Sequence, residues 1–284
     1  MVERMLLAAK IPCEIVLIKT TGDRILDRPL ADAGGKGLFT KELEEALLAD
    51  SIDIAVHSMK DVPVLLPPGL GLGAILPRED PRDVLLTRDA LLLKQLPQGA
   101  RVGTSSVRRQ AQLRRARPDV ACVLLRGNVD TRLGKLDSGE MDAILLALAG
   151  LKRLGLDNRP MSILPTEEWL PSLAQGAVGI EIREADKRAA EAIAPLNDEK
   201  TATALACERA FQAALDGSCR TSIAGLAEIA GGTLVFRGEV LAPDGSDAAS
   251  TTFTQVENGN VEAARAGREA GEALKPQAAK WLAL

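Results

Sequence analysis

The stretch Asp53-Ile54-Ala55-Val56-His57-Ser58-Met59-Lys60-Asp61-Val62-Pro63 decides how the chain is read. Its first half alternates apolar residues in the manner of a buried strand. Its second half turns abruptly to His57, Ser58, Lys60 and Asp61 before Pro63, which lacks the N–H that a strand ladder needs. Such a strand delivers a polar cluster to its own C-terminal end, and in an open α/β sheet ligands bind in the crevice beyond the strand carboxyl ends. Lys60 beside Asp61 puts a cation next to a carboxylate, as a site needs if it must both hold an anion and move a proton. The plain alternative is an exposed turn with an ordinary ion pair.

Upstream, Cys13 to Lys19 predicts a strand and Thr20 to Asp32 a polar connection. Gly34-Gly35-Lys36-Gly37 then opens an amphipathic helix with Leu38, Leu43, Ala46 and Leu47 on one face. The spacing of a phosphate-binding Walker loop is absent, which leaves an anion-contacting loop with Lys36 as its charge, or a simple helix start. Downstream, Gly69 to Pro77 predicts another strand, and the charge run Arg78-Glu79-Asp80-Pro81-Arg82-Asp83 a hinge. From Val84 the pattern begins again as a second α/β unit.

In that unit Thr104, Ser105 and Ser106 are good N-cap residues for a helix running toward Pro118. Arg108 and Arg109 fall in its first turn, where the macrodipole disfavours each cation by about half a kcal/mol. Free N–H groups, hydroxyls and two guanidiniums make a natural carboxylate or phosphate pocket. A buried strand, Val120 to Leu125, empties into Arg126-Gly127-Asn128-Val129-Asp130-Thr131-Arg132, and a further strand, Met141 to Ala149, ends at Gly150-Leu151-Lys152-Arg153. Three successive strand ends carrying cations point to an anionic ligand. Arg114, Arg115 and Arg117 read as a solvated helix face.

Gln175-Gly176 reads as a turn and Ala177 to Arg183 as a strand returning to the first unit. Asp198 to Leu215 predicts a helix stopping at Gly217, and beyond it Asp216 to Ser222 is a loop of small and polar residues that leaves Cys219 accessible. Arg220 beside Cys219 favours its thiolate. Strands follow over Ser222 to Ile229, Gly232 to Ala242 and Ala248 to Val256, then a closing helix from Val261 interrupted at Pro276. This is a third, smaller α+β domain.

The 284 residues suffice for two or three domains, and 35 Lys and Arg against 39 Asp and Glu leave a net charge of −4, unlike a general nucleic-acid binder. Two Trp, four Phe and no Tyr offer few surfaces for stacking bases. No apolar run approaches the roughly 20 residues of a membrane span, and the start lacks the pattern of a signal peptide, so a cytoplasmic protein is expected. Cys13, Cys122, Cys207 and Cys219 are scattered, with His57 the single histidine, so no metal site is expected. Cys122 and Cys207 read as core residues.

The strand DIAVHSMKDVP, the loop GGKGLF, the run REDPRD, the turn GTSSVRRQ, the segment LRGNVDTRL, the element AGLKRLGL and the loop GSCRTSIAG together resemble the porphobilinogen deaminase family, in one order from about Ile15 to the C-terminus. The resemblance implies two α/β domains like those of type II periplasmic binding proteins flanking a cleft, here residues 1–77 with 176–195 and residues 82–171, and a C-terminal α+β domain over 198–284. It implies a monomeric enzyme that joins porphobilinogen units head to tail, releasing ammonia, on a dipyrromethane primer attached by a thioether to Cys219. Asp61 matches the catalytic carboxylate. Lys60, Asp61, Thr104, Ser105, Ser106, Arg108, Arg109, Arg126 and Arg132 match residues that hold the cofactor. Arg126, Arg132, Arg153, Gln175, Lys36 and Phe39 match positions that serve the substrate or the mobile loop.

The family's opening strand, with its Arg-x-Ser-x-Leu-Ala run, has no counterpart; Met1 to Pro12 matches the end of the helix after it. The expectation is of a chain shortened at its start, with neighbouring strands left unpaired and less than full activity. Ala174 stands where the family often has glycine, and Ser222 where it often has proline. A competing function is a two-domain anion-binding protein, which needs the arginines but has no use for Asp61 or an accessible Cys219.

Overall fold

The computed structural model describes residues 1–24, 37–215 and 221–282. In chain order the strands are β1 (Ala55–Ser58), β2 (Leu70–Ile75), β3 (Asp83–Thr87), β4 (Arg101–Gly103), β5 (Ala121–Val123), β6 (Ala143–Ala147), β7 (Met161–Ile163), β8 (Val178–Arg183), β9 (Ile223–Ala230), β10 (Thr233–Leu241) and β11 (Ala248–Val256). The helices are α1 (Val2–Ala8), α2 (Thr21–Arg24), α3 (Lys41–Leu48), α4 (Val107–Ala116), α5 (Val129–Asp137), α6 (Leu148–Leu154), α7 (Lys187–Ile193), α8 (Glu199–Ala214) and α9 (Gly259–Leu282). They form two α/β units and a smaller α+β unit, as the sequence pattern implies.

The first sheet has the order β1-β8-β2, and the return strand β8 runs antiparallel to both neighbours. β1 alternates as its sequence does, with Ala55 and His57 turned inward and Val56 and Ser58 outward. On one face Ile180 and Ile182 pack with Ala74, with Val2 and Leu6 of α1 and with Ile193 of α7. On the other, Leu47 of α3 closes over Ala55 and Leu70. β2 bulges between Leu72 and Ala74, and a Cβ on Gly73 would come within 2.6 Å of Ile193, so the side-chain-free residue lets α7 lie directly on the sheet.

No strand forms over residues 13–19. Ile15, Val16 and Leu17 are exposed, Leu17 by 91%. Their branched side chains favour extended backbone, but a strand exists only as a ladder. The sheet ends at β1, whose outer edge has no partner strand among the described residues.

The second sheet has the order β5-β4-β6-β3-β7, with β4 parallel to β5 and β6 and with β3 antiparallel to β6 and β7. β3 and β6 are sandwiched: Leu125, Leu133, Leu136 and Leu151 cover one face, Leu113, Leu164 and Trp169 the other. The strand expected over Val120 to Leu125 is reduced to the three residues of β5, with Ala121 exposed, because it sits at the sheet edge and pairs with β4 alone. The strand expected to reach Ala149 stops at Ala147, since Leu148 already begins α6.

The third sheet is a meander, β11-β10-β9, with α8 and α9 on one face. Phe236 stands edge-on to Phe211 of α8 with ring centroids 4.8 Å apart. α9 runs through Pro276 without the expected interruption. Proline costs a helix interior about 3 kcal/mol, but Leu274 and Ala278 on either side of it are buried in the core and hold the helix down.

Candidate active site

β1 ends at Ser58, and the chain closes a tight 3-10 turn, Met59–Asp61, in which Val62 N–H donates to the Met59 carbonyl at 3.3 Å. Met59 anchors the turn: it is 1% exposed, packs against Gly179, and its N–H donates to the Ala177 carbonyl at 3.1 Å. Lys60 and Asp61 are exposed at this turn. Burial raises the pKa of Asp61, opposed by the charges of Lys60 and His57. Burial lowers that of Lys60; Asp61 opposes this, while Arg109 and Arg108 add to it. Lys60 thus lies within the electrostatic reach of groups from the second sheet, which forms the far wall.

On that wall Ser106 caps α4, its hydroxyl accepting the Arg109 N–H at 3.4 Å, and the buried Thr104 hydroxyl accepts the Ser106 N–H at 3.2 Å. Ser105 lies between them, half-buried. Arg108 and Arg109 turn inward and converge on Asp83 at the start of β3. Arg109 Nη2 donates to Asp83 Oδ1 at 2.7 Å, and Arg108 Nη1 lies 2.8 Å from Oδ2. Gln175 Nε2 donates to Oδ1 at 2.7 Å and Trp169 Nε1 to Oδ2 at 2.9 Å. Burial alone would raise Asp83, but the charges and hydrogen bonds of the two guanidiniums hold it well below the usual carboxylate range.

Arg108 is further tied to Gln112 Oε1 at 2.8 Å and to the Leu170 carbonyl at 3.0 Å, and Arg109 to the Leu145 carbonyl at 3.0 Å. Arg132, from α5, sends its Nε–H to the Gly127 carbonyl at 2.8 Å. Its pKa falls to about 10 through burial and through the like charges of Arg109 and Arg126. Burial also lowers Arg126. Among the described residues the site gathers Lys60, Arg109, Arg126 and Arg132 with Asp61 and the already engaged Asp83, a set of cations suited to a ligand with several carboxylates.

Other candidates take different places. Arg153 is exposed, and its Nη2 donates to the Gly176 carbonyl at 2.6 Å. Gln175 is 1% exposed and lies between the two sheets, also donating to the Pro81 carbonyl at 2.7 Å. Gly176 beside it has φ +87°, and a Cβ there would overlap the Glu79 carbonyl oxygen. Ala174 adopts φ +59°, a left-handed conformation that glycine takes without strain. The Phe39 ring packs on Gly22. Lys36 and Cys219 lie outside the described residues. Sequence reading missed Asp83, which was submerged in the hinge's charge run, and Trp169, whose lone indole in a predicted loop was the available signal.

Residues 1–191 match the family model described as the dipyrromethane cofactor binding domain of porphobilinogen deaminase, and residues 202–276 that of its C-terminal domain. Over 264 residues the chain is 52% identical to the porphobilinogen deaminase of Nitrobacter hamburgensis, covering 93% of this chain and 83% of that protein. Among solved structures, a Bacillus subtilis lipoprotein described as methionine-binding is 14% identical with a TM-score of 0.39, covering 57% of this chain and 76% of that one. A Salmonella typhimurium periplasmic binding protein of high arginine specificity is 15% identical with a TM-score of 0.33, over 57% and 71%. The match along both family models and the 52% identity over 93% of the chain lead to one conclusion: the chain belongs to the porphobilinogen deaminase family.

Proposed function

We propose that Asp61 is the proton-handling carboxylate of a transferase that joins porphobilinogen units head to tail, with release of ammonia, into the linear tetrapyrrole hydroxymethylbilane. One observation carries the reading: on the wall facing the Asp61 turn, Arg132 is crowded by Arg109 and Arg126 and its pKa is driven down to about 10. Guanidiniums crowded together suit a ligand that gains an acetate and a propionate with every added unit. Dipyrromethane, attached through a thioether to Cys219, supplies the pyrrole carbon to which the first unit is joined.

The chain's own groups then divide the work. Arg109, Arg126 and Arg132, with Lys60 and the Thr104-Ser105-Ser106 turn, hold carboxylates of cofactor and substrate; Arg108 shares Asp83 with Arg109 behind them. Arg153, Gln175, Lys36 and Phe39 serve the substrate from the hinge and the neighbouring loop. As ammonia leaves the aminomethyl carbon, positive charge spreads into the pyrrole and the Asp61 carboxylate stabilises it. After the new carbon–carbon bond forms, Asp61 takes the proton that the ring carbon must lose. Burial raises the pKa of Asp61, against the pull of Lys60 and His57.

The same reading makes the three sheets domains over 1–77 with 176–195, 82–171 and 198–284, in a cytoplasmic monomer acting on a small molecule with neither nucleic acid nor membrane as partner. Among the described residues no helix is long and apolar enough to cross a membrane. Asp61→Asn tests it: turnover should fall by about 10²–10⁴-fold while porphobilinogen still binds, and full turnover would overturn it. Intact mass tests the attachment: the parent should carry two linked pyrrole units that Cys219→Ser lacks.

A further inference from the structure

α8 places Leu205 and Arg209 one turn apart on the same face. Leu205 packs with Met59 and Val62, so Arg209 arrives just past the Asp61 turn. Its guanidinium meets three successive carbonyls: Nη1 donates to Val62 at 3.2 Å, Nη2 to Pro63 at 2.8 Å and to Val64 at 3.0 Å. Among the described residues no carboxylate lies within ion-pair distance of Arg209. Burial pulls its pKa down to about 10, and Glu181 opposes that pull. A half-buried cation held mainly by carbonyls gains position more than stability.

Glu181 works at the other end of the same turn. It is fully buried on β8, one strand over and diagonal to His57, and its Oε2 lies 2.9 Å from His57 Nε2. Its Oε1 has no hydrogen-bond partner among the described residues. The strand entering the Lys60-Asp61 turn is thus pinned through His57, and the loop leaving it through Arg209. The second pin comes from the helix whose C-terminal end leads to the segment containing Cys219.

We infer that Arg209 is a positioning residue for Asp61: it fixes residues 62–64 so that the carboxylate stands at one height in the crevice, and it links that height to the domain bearing Cys219. The inference rests on the assignment of Asp61 above. It predicts that loss of Arg209 loosens the turn and slows chemistry while the arginines on the second sheet go on binding substrate.

The experiment compares the cofactor-loaded parent with Arg209→Met and Arg209→Lys. It measures hydrogen exchange over residues 59–66 by mass spectrometry, together with kcat and KM for porphobilinogen normalised to the cofactor-bearing mass. In the Met variant exchange over 59–66 should quicken about tenfold. Its kcat should fall about ten- to hundredfold with KM within about twofold, since small misplacements of a reacting group cost this much. The Lys variant, which keeps the charge but reaches fewer carbonyls, should fall between Met and parent. A parental kcat in either variant, a KM that rises as far as kcat falls, or unchanged exchange over 59–66 overturns the inference. If the Met variant does not accumulate as folded protein, the Lys variant decides by the same readings. If Asp61→Asn keeps full turnover, the assignment falls and the inference with it; if Asp61→Asn loses turnover while Arg209→Met keeps it, the inference alone falls.

Discussion

Replacing Asp83 with Asn keeps the side chain's shape and removes its charge. In the parent this carboxylate is fully buried and gathers Arg108, Arg109, Gln175 and Trp169 within 2.9 Å. The Asn amide offers one acceptor oxygen where the carboxylate offers two, and its NH₂ group faces guanidinium or indole donors. Two buried guanidiniums lose their shared counter-ion, and removing one partner of a buried pair costs about 3–5 kcal/mol. At roughly 2–4 °C per kcal/mol for a cooperative unit of this size, calorimetry should find the melting midpoint lowered by about 6–20 °C. The pH dependence has a definite sign. The native pKa of Asp83 lies below its ordinary value of 3.8, so its stabilisation is present above that value and is lost as pH falls through the native one. The gap between parent and variant should therefore hold steady from about pH 5 to 8 and close below about pH 4. A midpoint within about 1 °C of the parent at neutral pH, or a gap that widens on acidification, would refute the reasoning.

Lys60→Gln removes the largest charge that pulls Asp61 down, so the acid limb of the kcat/KM profile should move to higher pH; a limb that stays or moves down contradicts the assignment of Asp61. Gly176→Ala must place a Cβ against the Glu79 carbonyl at φ +87°, and the urea midpoint should drop by the equivalent of about 1–3 kcal/mol or more, whereas equal midpoints would show that the hinge yields freely. Arg132→Leu removes a charged donor from the cation cluster and should raise KM for porphobilinogen by about 10- to 150-fold, matching the 1.5–3 kcal/mol of a hydrogen bond to a charged group. An unchanged KM would place the substrate's carboxylates elsewhere.

What could be read in advance was whatever the chain specifies locally. The alternation before Lys60 places β1 and the turn after it correctly, because side-chain period acts within a few residues. The serines before Arg108 and Arg109 mark the start of α4 for the same reason, and cations at that end signalled that something negative must compensate. The family resemblance then supplied pyrrole chemistry that no spacing of residues could. Where pairing decides, local reading fails. Residues 13–19 have the side chains of a strand but no ladder, and Pro276 has the chemistry of a break inside a helix that buried neighbours hold straight.

The same limit governs the charges. Two adjacent arginines look interchangeable in sequence, yet successive helix positions are about 100° apart around the axis, so Arg108 and Arg109 reach different surroundings. Arg108 meets Gln112 and the Leu170 carbonyl, and Arg109 meets the Leu145 carbonyl and the like charge of Arg132. Asp83 divides its two oxygens between them, Oδ1 to Arg109 and Oδ2 to Arg108. The negative partner that the helix start demanded therefore comes from a strand 26 residues upstream of Arg109. Asp61 obeys a parallel rule from the opposite wall: the residues that fix its height, Glu181 through His57 and Arg209 through the carbonyls of 62–64, lie more than a hundred positions away in the chain. A site of this kind is encoded twice, once in the local turns that present its reactive groups and once in distant buried partners that decide which of those groups stay available.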